Sequence, residues 1–158
     1  MSDLSAPVIE ISRAVSAQDV TAAKRLFQEY ADFLGVDLRF QGFDEEIATF
    51  PAAYERLLIA RVDGAPEGAV GLKRLEDGVC EMKRLYVRER RRGLSLGRRL
   101  SEALIDEARR AGYRAMRLDT LARLKPALRL YHGLGFRPID AYYENPESDV
   151  IYMQLDLG

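Results

Sequence analysis

The chain has 158 residues, of which 47% are apolar and 31% are charged, and its formal net charge is −1. This length fits one domain with a sizeable core, expected over residues 1–158, and the balanced charge gives no support to a general nucleic-acid or membrane-coating role. The first residues lack the basic start and apolar run of a secretory signal, and no stretch reaches the roughly 18 apolar residues of a membrane span, so a soluble, cytoplasmic protein is expected.

The N-terminal third of the chain predicts a strand, a helix and a covering segment. Residues 8–15 suit a first strand, and Ser16 with Asp19 three residues later resembles a helix cap ahead of apolar residues at helical spacing. Gly35 is a suitable end for this helix. Residues 36–54 are mixed and aromatic with a short helical piece, which is typical of a segment that covers a pocket or a sheet edge.

The middle of the chain changes to the alternation of strands, over residues 57–62, 69–75 and 79–87. Asp77-Gly78 lies between the last two of these strands and is a strong signal for a tight hairpin. The three strands are therefore predicted to form an antiparallel meander.

A helix and a further strand follow the meander. Apolar residues at helical spacing begin at Leu96, Gly112 suits the helix end, and residues 113–120 resemble a strand. Because a crossover helix separates two strands here, one pair of the sheet should be parallel.

The last third of the chain predicts one helix and two strands. Pro126 suits the first turn of the helix and Gly135 its end, and strands are predicted over residues 136–142 and 150–157. The whole order favours an α/β fold with a mixed, mostly antiparallel sheet, one parallel β-α-β crossover and helices on both faces.

Positive charge is concentrated at the turn that leads into the helix at Leu96. Six arginines lie there: Arg88, Arg90, Arg91, Arg92, Arg98 and Arg99. The first N–H groups of a helix have no internal partner and point outward with the positive end of its dipole. Gly93 and Gly97 allow the backbone to approach a ligand closely, so this turn is predicted to bind a phosphate.

Two common phosphate-binding patterns do not fit this turn. A Walker A loop needs Lys and Ser or Thr after its second glycine, whereas Gly97 is followed by Arg98 and Arg99. The dinucleotide pattern Gly-x-Gly-x-x-Gly fails as well, because Ser95 and Arg98 stand at its second and third glycine positions.

Residues 92–97, Arg-Gly-Leu-Ser-Leu-Gly, resemble the Arg/Gln-x-x-Gly-x-Gly/Ala pyrophosphate loop of the GNAT acyltransferase superfamily, small bacterial members in particular. Residues 128–136, Leu-Arg-Leu-Tyr-His-Gly-Leu-Gly-Phe, resemble its second signature, a helix that bears a tyrosine and ends in Leu-Gly-Phe. The order of elements matches that of the family over nearly the whole chain. Two residues depart from its pattern: Ser95 replaces the middle glycine, and Leu124 replaces an asparagine often found seven residues before the tyrosine.

The resemblance implies acetyl-CoA as the co-substrate of an N-acetyltransferase in which an amine attacks the thioester directly. It assigns strand contacts with the coenzyme to Leu85, Tyr86 and Val87, and pyrophosphate contacts to the loop from Arg92 to Arg98: Arg92, Gly93, Leu94, Ser95, Leu96, Gly97 and Arg98. Such an enzyme mainly holds two reactants in line.

Proton transfer needs two further groups. Tyr131 matches the family position that serves the departing thiolate, and the competing interpretation is that it belongs to the apolar face of its helix. Glu81 is the leading candidate for the base, with an outward carboxylate paired to Lys83 or Arg84 as the alternative and Asp119 as a competitor. His132 is interpreted as an exposed surface residue.

The acceptor is expected to be the primary amine of a small molecule or a peptide, bound by the N-terminal half and the loop before the last strand. Phe40, Phe43 and Tyr54 are candidates for its walls or for the core, and residues 142–145 for its rim. Exposed strands near the C-terminus make a homodimer plausible.

Metal chemistry is not expected, because Cys80 and His132 are the single residues of their kinds and supply too few soft ligands. Covalent catalysis through Cys80 is not needed either.

Two other classes of function compete with the enzyme. Ser95 and Leu124 motivate a module of the same fold that binds CoA without turnover. The arginines motivate a nucleic-acid binder, against which stand the near-neutral charge and the acidic residues Glu102, Asp106 and Glu107.

Overall fold

A computed structural model describes residues 6–158, with the side chain of Phe40 outside the description. The strands are β1 (Ile9–Arg13), β2 (Arg56–Val62), β3 (Ala65–Glu76), β4 (Val79–Val87), β5 (Ala115–Leu121), β6 (Arg137–Ile139) and β7 (Val150–Asp156). The helices are α1 (Ala17–Leu34), α2 (Phe43–Ala48), α3 (Leu96–Arg110) and α4 (Lys125–Leu134), with short 3-10 turns at Arg39–Gln41 and Glu89–Arg91.

The strands of residues 6–158 form one seven-stranded sheet in the order β1-β2-β3-β4-β5-β7-β6. Neighbouring strands are antiparallel except β4 and β5, which run parallel because α3 crosses over between them. The predicted mixed sheet with one parallel crossover is confirmed.

Local signals of the sequence set several of these boundaries. The Ser16 hydroxyl accepts a hydrogen bond from the Asp19 N–H at 3.1 Å, and α1 ends at Gly35 in the left-handed conformation, as predicted. A second two-residue turn, Asp63-Gly64, has positive φ at both residues, so β3 begins at Ala65 and not at residue 69 as predicted.

The last hairpin also differs from the prediction. The strand predicted over residues 136–142 is confined to Arg137–Ile139, where it pairs with β7. The following residues leave the sheet edge and form a loop, residues 140–149, that returns over the sheet face.

Two apolar clusters cover the two faces of the sheet. Leu58, Leu72 and Met116 face α3 and α4, where they pack with Leu100 and Leu104. On the other face, α1 contributes Ala23, Leu26 and Phe27, which pack on Leu57, Ile59 and Ala69. Helices therefore cover both faces, as predicted. Along residues 6–158, no helix combines the length and apolar character needed to cross a bilayer.

Candidate active site

The parallel pair at the centre of the sheet separates after a short contact. The pairing of β4 with β5 covers Val79–Glu81 against Ala115–Arg117. Farther along β4, Arg84 has a φ of 62°, and the register with β3 shifts between Ala69 and Gly71. A non-glycine residue in this conformation at a register shift marks a bulge that bends the strand. The bend carries the end of β4 away from β5 and opens a gap.

A cleft of about 510 Å³ fills this gap. Its walls come from the ends of β4 and β5, the loop before α3, the start of α3, and α4. Of the residues predicted to contact the coenzyme, eight line it: Leu85, Tyr86, Val87, Arg92, Gly93, Ser95, Leu96 and Gly97. Leu94 and Arg98 are not among the lining residues, and Arg98 pairs instead with Glu102 one turn along the helix surface, at 3.0 Å.

The loop before α3 has the backbone shape of an anion site. Gly93 has a φ of 91°, and Ser95, the residue before the helix, has a φ of 59°. The first helical bond runs from the Arg99 N–H to the Ser95 carbonyl at 3.0 Å, and the Ser95 side chain makes no capping bond among the described residues. The N–H groups of residues 96–98 therefore have no partner inside the helix, and they lie at its positive end.

The arginines around this loop have two kinds of environment. Arg91 and Arg92 line the cleft, as predicted for a phosphate site, whereas Arg88 and Arg90 do not. Arg88, Arg90 and Arg91 converge on Glu67, a fully buried carboxylate of β3. Arg88 also binds Glu29 of α1 at 2.7 Å. These cations are used to hold the segment that precedes the loop against the sheet. Glu67 was not among the predicted site residues, because the predicted strand began at residue 69 and β3 in fact begins at Ala65.

Tyr131 lies on the inner face of α4 and lines the cleft. It is buried, and its ring packs edge-on against Phe136 with centroids 5.8 Å apart. Burial raises the pKa of the Tyr131 phenol, and the nearby Tyr30 and Asp119 raise it further. The phenol thus stays protonated at neutral pH. The neighbouring His132 is exposed, in line with its predicted surface position.

Glu81, the predicted base, lies on β4 but not on the wall of the cleft. It is 4% exposed, accepts a hydrogen bond of 2.6 Å from the Tyr142 hydroxyl, and is 3.8 Å from the Lys83 ammonium. Glu81 is therefore buried and not outward, although the contact with Lys83 that belonged to the alternative is present. Asp119, the competitor, lines the cleft at the end of β5.

A second, smaller cavity of about 40 Å³ adjoins the cleft. Residues lining both are Tyr30, Met82, Arg84, Asp119, Thr120 and Leu124. Its wall carries a hydrogen-bond chain in which the Gln41 carbonyl accepts from Arg84 at 2.7 Å and the Gln41 amide donates to the Tyr143 hydroxyl at 2.9 Å. Tyr143 in turn donates to Asp119 at 2.8 Å. We call this the polar cavity.

The aromatic residues proposed as pocket walls have other roles. Tyr54 packs against Phe27 at 5.3 Å between ring centroids and donates to Glu46, so it belongs to the core. Phe43 lies under the Arg84 guanidinium at 5.2 Å. The side chain of Phe40 lies outside the described part of the structure. Of the predicted rim, Tyr143 and Asn145 join the hydrogen-bond chain, since Asn145 donates to Tyr143 at 3.0 Å.

Cys80 is buried in the sheet, and burial raises the pKa of its thiol to about 12. It is therefore unsuited to act as a nucleophile. In the part of the chain that the structure describes, no three His, Cys, Asp or Glu side chains are grouped to hold a metal ion.

Comparison with known proteins agrees with this architecture. The sequence pattern of the acetyltransferase (GNAT) family matches residues 23–136. The chain is 41% identical to an uncharacterized N-acetyltransferase of Schizosaccharomyces pombe, covering 95% of this chain and 96% of that protein. It is 33% identical to an IAA acetyltransferase of Azospirillum brasilense, covering 96% of this chain and 99% of that protein.

Solved structures show the same fold at lower sequence identity. A GNAT acetyltransferase of Staphylococcus aureus superposes with a TM-score of 0.77 at 18% identity, covering 96% of this chain and all of the other, 100%. A Salmonella typhimurium protein solved with its cofactor acetyl-CoA superposes with a TM-score of 0.72 at 24% identity, covering 95% and 94% of the two chains. The chain belongs to the GNAT acetyltransferase family, which confirms the resemblance found in its sequence.

Proposed function

We propose that this chain, as a single domain over residues 1–158, is an acetyl-CoA-dependent N-acetyltransferase that acetylates the primary amine of a small molecule or peptide by direct attack. The observation that carries the proposal is the cleft between β4 and β5, which has an anion-binding loop at one end and the Tyr131 phenol in its wall. Membership of the GNAT family and the N-acetyltransferase names of its relatives support the same activity.

The cleft suits a long thioester carrier. The outward N–H groups of residues 96–98 match a pyrophosphate, and Arg92 adds positive charge at the same place. Beyond Glu81, the edge of β4 that faces β5 has no pairing in the described register, so its backbone groups are available to an amide-containing arm. When bound, acetyl-CoA would supply the acetyl group as an activated thioester.

The chain itself contributes position and proton transfer. Tyr131 would protonate the departing thiolate, since its phenol keeps its proton at neutral pH. Asp119 has the better position to take the proton of the amine, because it lines both the cleft and the polar cavity. Glu81, the base predicted from sequence, would need Tyr142 or a water molecule as a relay.

Thiol release from acetyl-CoA over a panel of amines tests the proposal, with wild type, Tyr131→Phe, Asp119→Asn and Glu81→Gln side by side. We expect release with at least one amine and a lower kcat for Tyr131→Phe. A larger fall in kcat for Asp119→Asn than for Glu81→Gln would support Asp119 as the base. The opposite order would support Glu81, the base predicted from sequence.

Calorimetric titration with acetyl-CoA distinguishes the competing functions. No binding at high micromolar coenzyme would overturn the proposal. Binding without thiol release from any amine would favour the module that holds CoA without turnover. The nucleic-acid alternative is tested separately by titration with duplex and single-stranded DNA at low salt, where the absence of binding would exclude it.

A further inference from the structure

The polar cavity contains a buried ammonium group with weak partners. Lys83 lines the cavity, and its side chain is only 9% exposed. Its single hydrogen bond in the described structure goes to the Gln41 carbonyl at 3.3 Å, and that oxygen already accepts a shorter bond of 2.7 Å from Arg84. The nearest carboxylate oxygen, of Glu81, is 3.8 Å away, which is beyond hydrogen-bond distance.

A buried charge in this position needs a better partner. An ammonium has three N–H donors, and burying it without full hydrogen bonding is costly. Burial lowers the pKa of Lys83, which reflects that cost. An anion that enters the polar cavity would complete the coordination of Lys83.

A negative group faces the same cavity. Asp119 accepts a hydrogen bond from Tyr143 but has no Lys or Arg within 4 Å in the described part of the chain. Its charge acts on Lys83, as does that of Glu81. The cavity therefore offers one incompletely bonded cation and one carboxylate without a cationic partner.

The other charges of the cavity do not cancel this pair. Arg84 is held by Glu46, with a separation of 3.2 Å between the two groups. Glu147 also lines the cavity, but it is more exposed than Lys83, so solvent screens its charge more strongly.

The positions of Asp119 and Lys83 define how an acceptor with an amine and an anionic group would be oriented. Asp119 lines the coenzyme cleft as well as the polar cavity, whereas Lys83 lines the polar cavity only. An amine held by Asp119 would lie at the junction with the cleft, and an anion held by Lys83 would lie on the far side. The cavity of about 40 Å³ has room for about three water molecules, so the anion must be compact and close to the amine.

We propose that the acceptor is a small amino acid, whose carboxylate binds Lys83 while its ammonium group lies against Asp119 at the junction with the cleft. This inference rests on the proposed acetyltransferase function and narrows its substrate class. Lys83 is thus a specificity-determining residue.

The experiment compares amino acids with their amides as acceptors in the thiol-release assay: glycine and alanine against glycinamide and alaninamide. Wild type should prefer the acids by at least tenfold in kcat/KM. Lys83→Met should lose that preference, with a much larger fall in kcat/KM on the acids than on the amides, because the partner of the substrate carboxylate is removed. Lys24→Met, on α1 and outside both cavities, is the matched control and should keep the preference.

Binding is measured separately from turnover by calorimetric titration of glycine and alanine into the CoA-saturated protein. Wild type should bind both, and Lys83→Met should bind at least tenfold more weakly, with its fold checked by circular dichroism. Equal use of acids and amides by wild type would overturn the inference and leave the acetyltransferase function intact. Equal losses on acids and amides in Lys83→Met would also overturn it, since they indicate a role in proton transfer or folding. If no amine causes release of thiol from acetyl-CoA, the proposed function fails. The titration alone then decides whether the polar cavity binds an amino acid.

Discussion

The cleft and the polar cavity adjoin at the ends of β4 and β5, but different kinds of structural feature form them. The cleft between β4 and β5 depends on backbone features that are close in sequence: the bulge at Arg84, the left-handed residues Gly93 and Ser95, and the start of α3. The polar cavity depends on side chains that are far apart in sequence, such as Gln41 and Tyr143, which are separated by 102 positions. Under the proposed function, side chains of the polar cavity could therefore change the acceptor without changing the backbone features that hold the coenzyme.

This comparison predicts separable kinetic effects. Substitutions around the loop before α3 should change the KM for acetyl-CoA, and those in the polar cavity should change the KM for the amine. The following substitutions test that separation, in order of decreasing expected effect.

Tyr131→Phe should lower kcat by about 100-fold with little change in either KM, because a proton donor to the leaving group is lost while the ring is kept. Since the phenol stays protonated, wild type should show no fall in kcat from this group below about pH 10. Steady-state kinetics over this pH range is the measurement. His132→Gln, on the exposed side of the same helix, is the control and should match wild type. A Tyr131→Phe enzyme with full activity would remove this group from the mechanism.

Glu67→Gln should lower the free energy of unfolding by about 2 kcal/mol and raise the KM for acetyl-CoA several-fold, because a buried carboxylate that binds three arginines is neutralised. Denaturant unfolding and steady-state kinetics measure the two effects. Glu102→Gln is the matched control, since its carboxylate pairs with Arg98 on an exposed helix surface, and it should cost less than about 0.5 kcal/mol.

The stabilising contribution of the Glu67 carboxylate should be lost at low pH. Burial acts to raise the pKa of Glu67, but hydrogen bonds and charges from Arg90 and Arg91 outweigh it, so the pKa is lowered from 4.5. A lowered folded-state pKa stabilises the protein above the unfolded-state value, and this contribution is lost as the pH falls through the folded-state value. Below pH 4.5 the stability difference between wild type and Glu67→Gln should therefore shrink; a constant difference down to pH 2 would contradict this assignment.

Tyr143→Phe should raise the KM for the amine about fivefold, which corresponds to about 1 kcal/mol, and leave the KM for acetyl-CoA unchanged. The Tyr143 hydroxyl accepts from Gln41 and Asn145 and donates to Asp119, so its loss loosens three side chains of the polar cavity at once. Tyr113→Phe, whose hydroxyl bonds to the exposed Glu55, is the control. Equal changes in both KM values would contradict the separation of the two cavities.

Ser95→Gly should raise the free energy of unfolding by about 0.5 kcal/mol, because glycine adopts the left-handed conformation of this position without the steric cost of a side chain. The KM for acetyl-CoA should fall about twofold, because the Ser95 side chain would no longer occupy space in the lining of the cleft. Ser95→Val should act in the opposite direction, since a β-branched residue fits this conformation poorly. A destabilised glycine variant, measured by denaturant unfolding, would show that the serine side chain itself is needed.

The sequence was a good guide where one short segment decides the structure. Asp77-Gly78 predicted its hairpin, Ser16 its helix cap, and residues 92–97 the turn that leads into α3, because each depends on local backbone preferences. The order of elements along the chain likewise predicted a mostly antiparallel sheet with one parallel crossover, and the structure confirms it.

The sequence was a poor guide where the partner lies far along the chain. The residues around Glu67 give no sign that it pairs with three arginines more than 20 positions away. Likewise, the residues around Glu81 give no sign that Tyr142, 61 positions away, donates a hydrogen bond to it. The polar cavity was missed for the same reason, since its hydrogen-bond chain joins α1–α2 connecting residues, β5 and the loop before β7. Side-chain charge alone did not distinguish arginines that face a ligand from those that hold the fold.

The brief contact between β4 and β5 has a mechanical consequence. Because β4 and β5 pair over three residues each, strands β1 to β4 are joined to strands β5 to β7 by a short ladder of backbone contacts. A thioester carrier bound beyond that short pairing would lie between β4 and β5 like an additional strand, and its own amides could bond to both. Amide hydrogen exchange in Met82–Val87 and in Leu118–Leu121 should therefore slow together when the carrier binds, because one ligand closes both exposed edges.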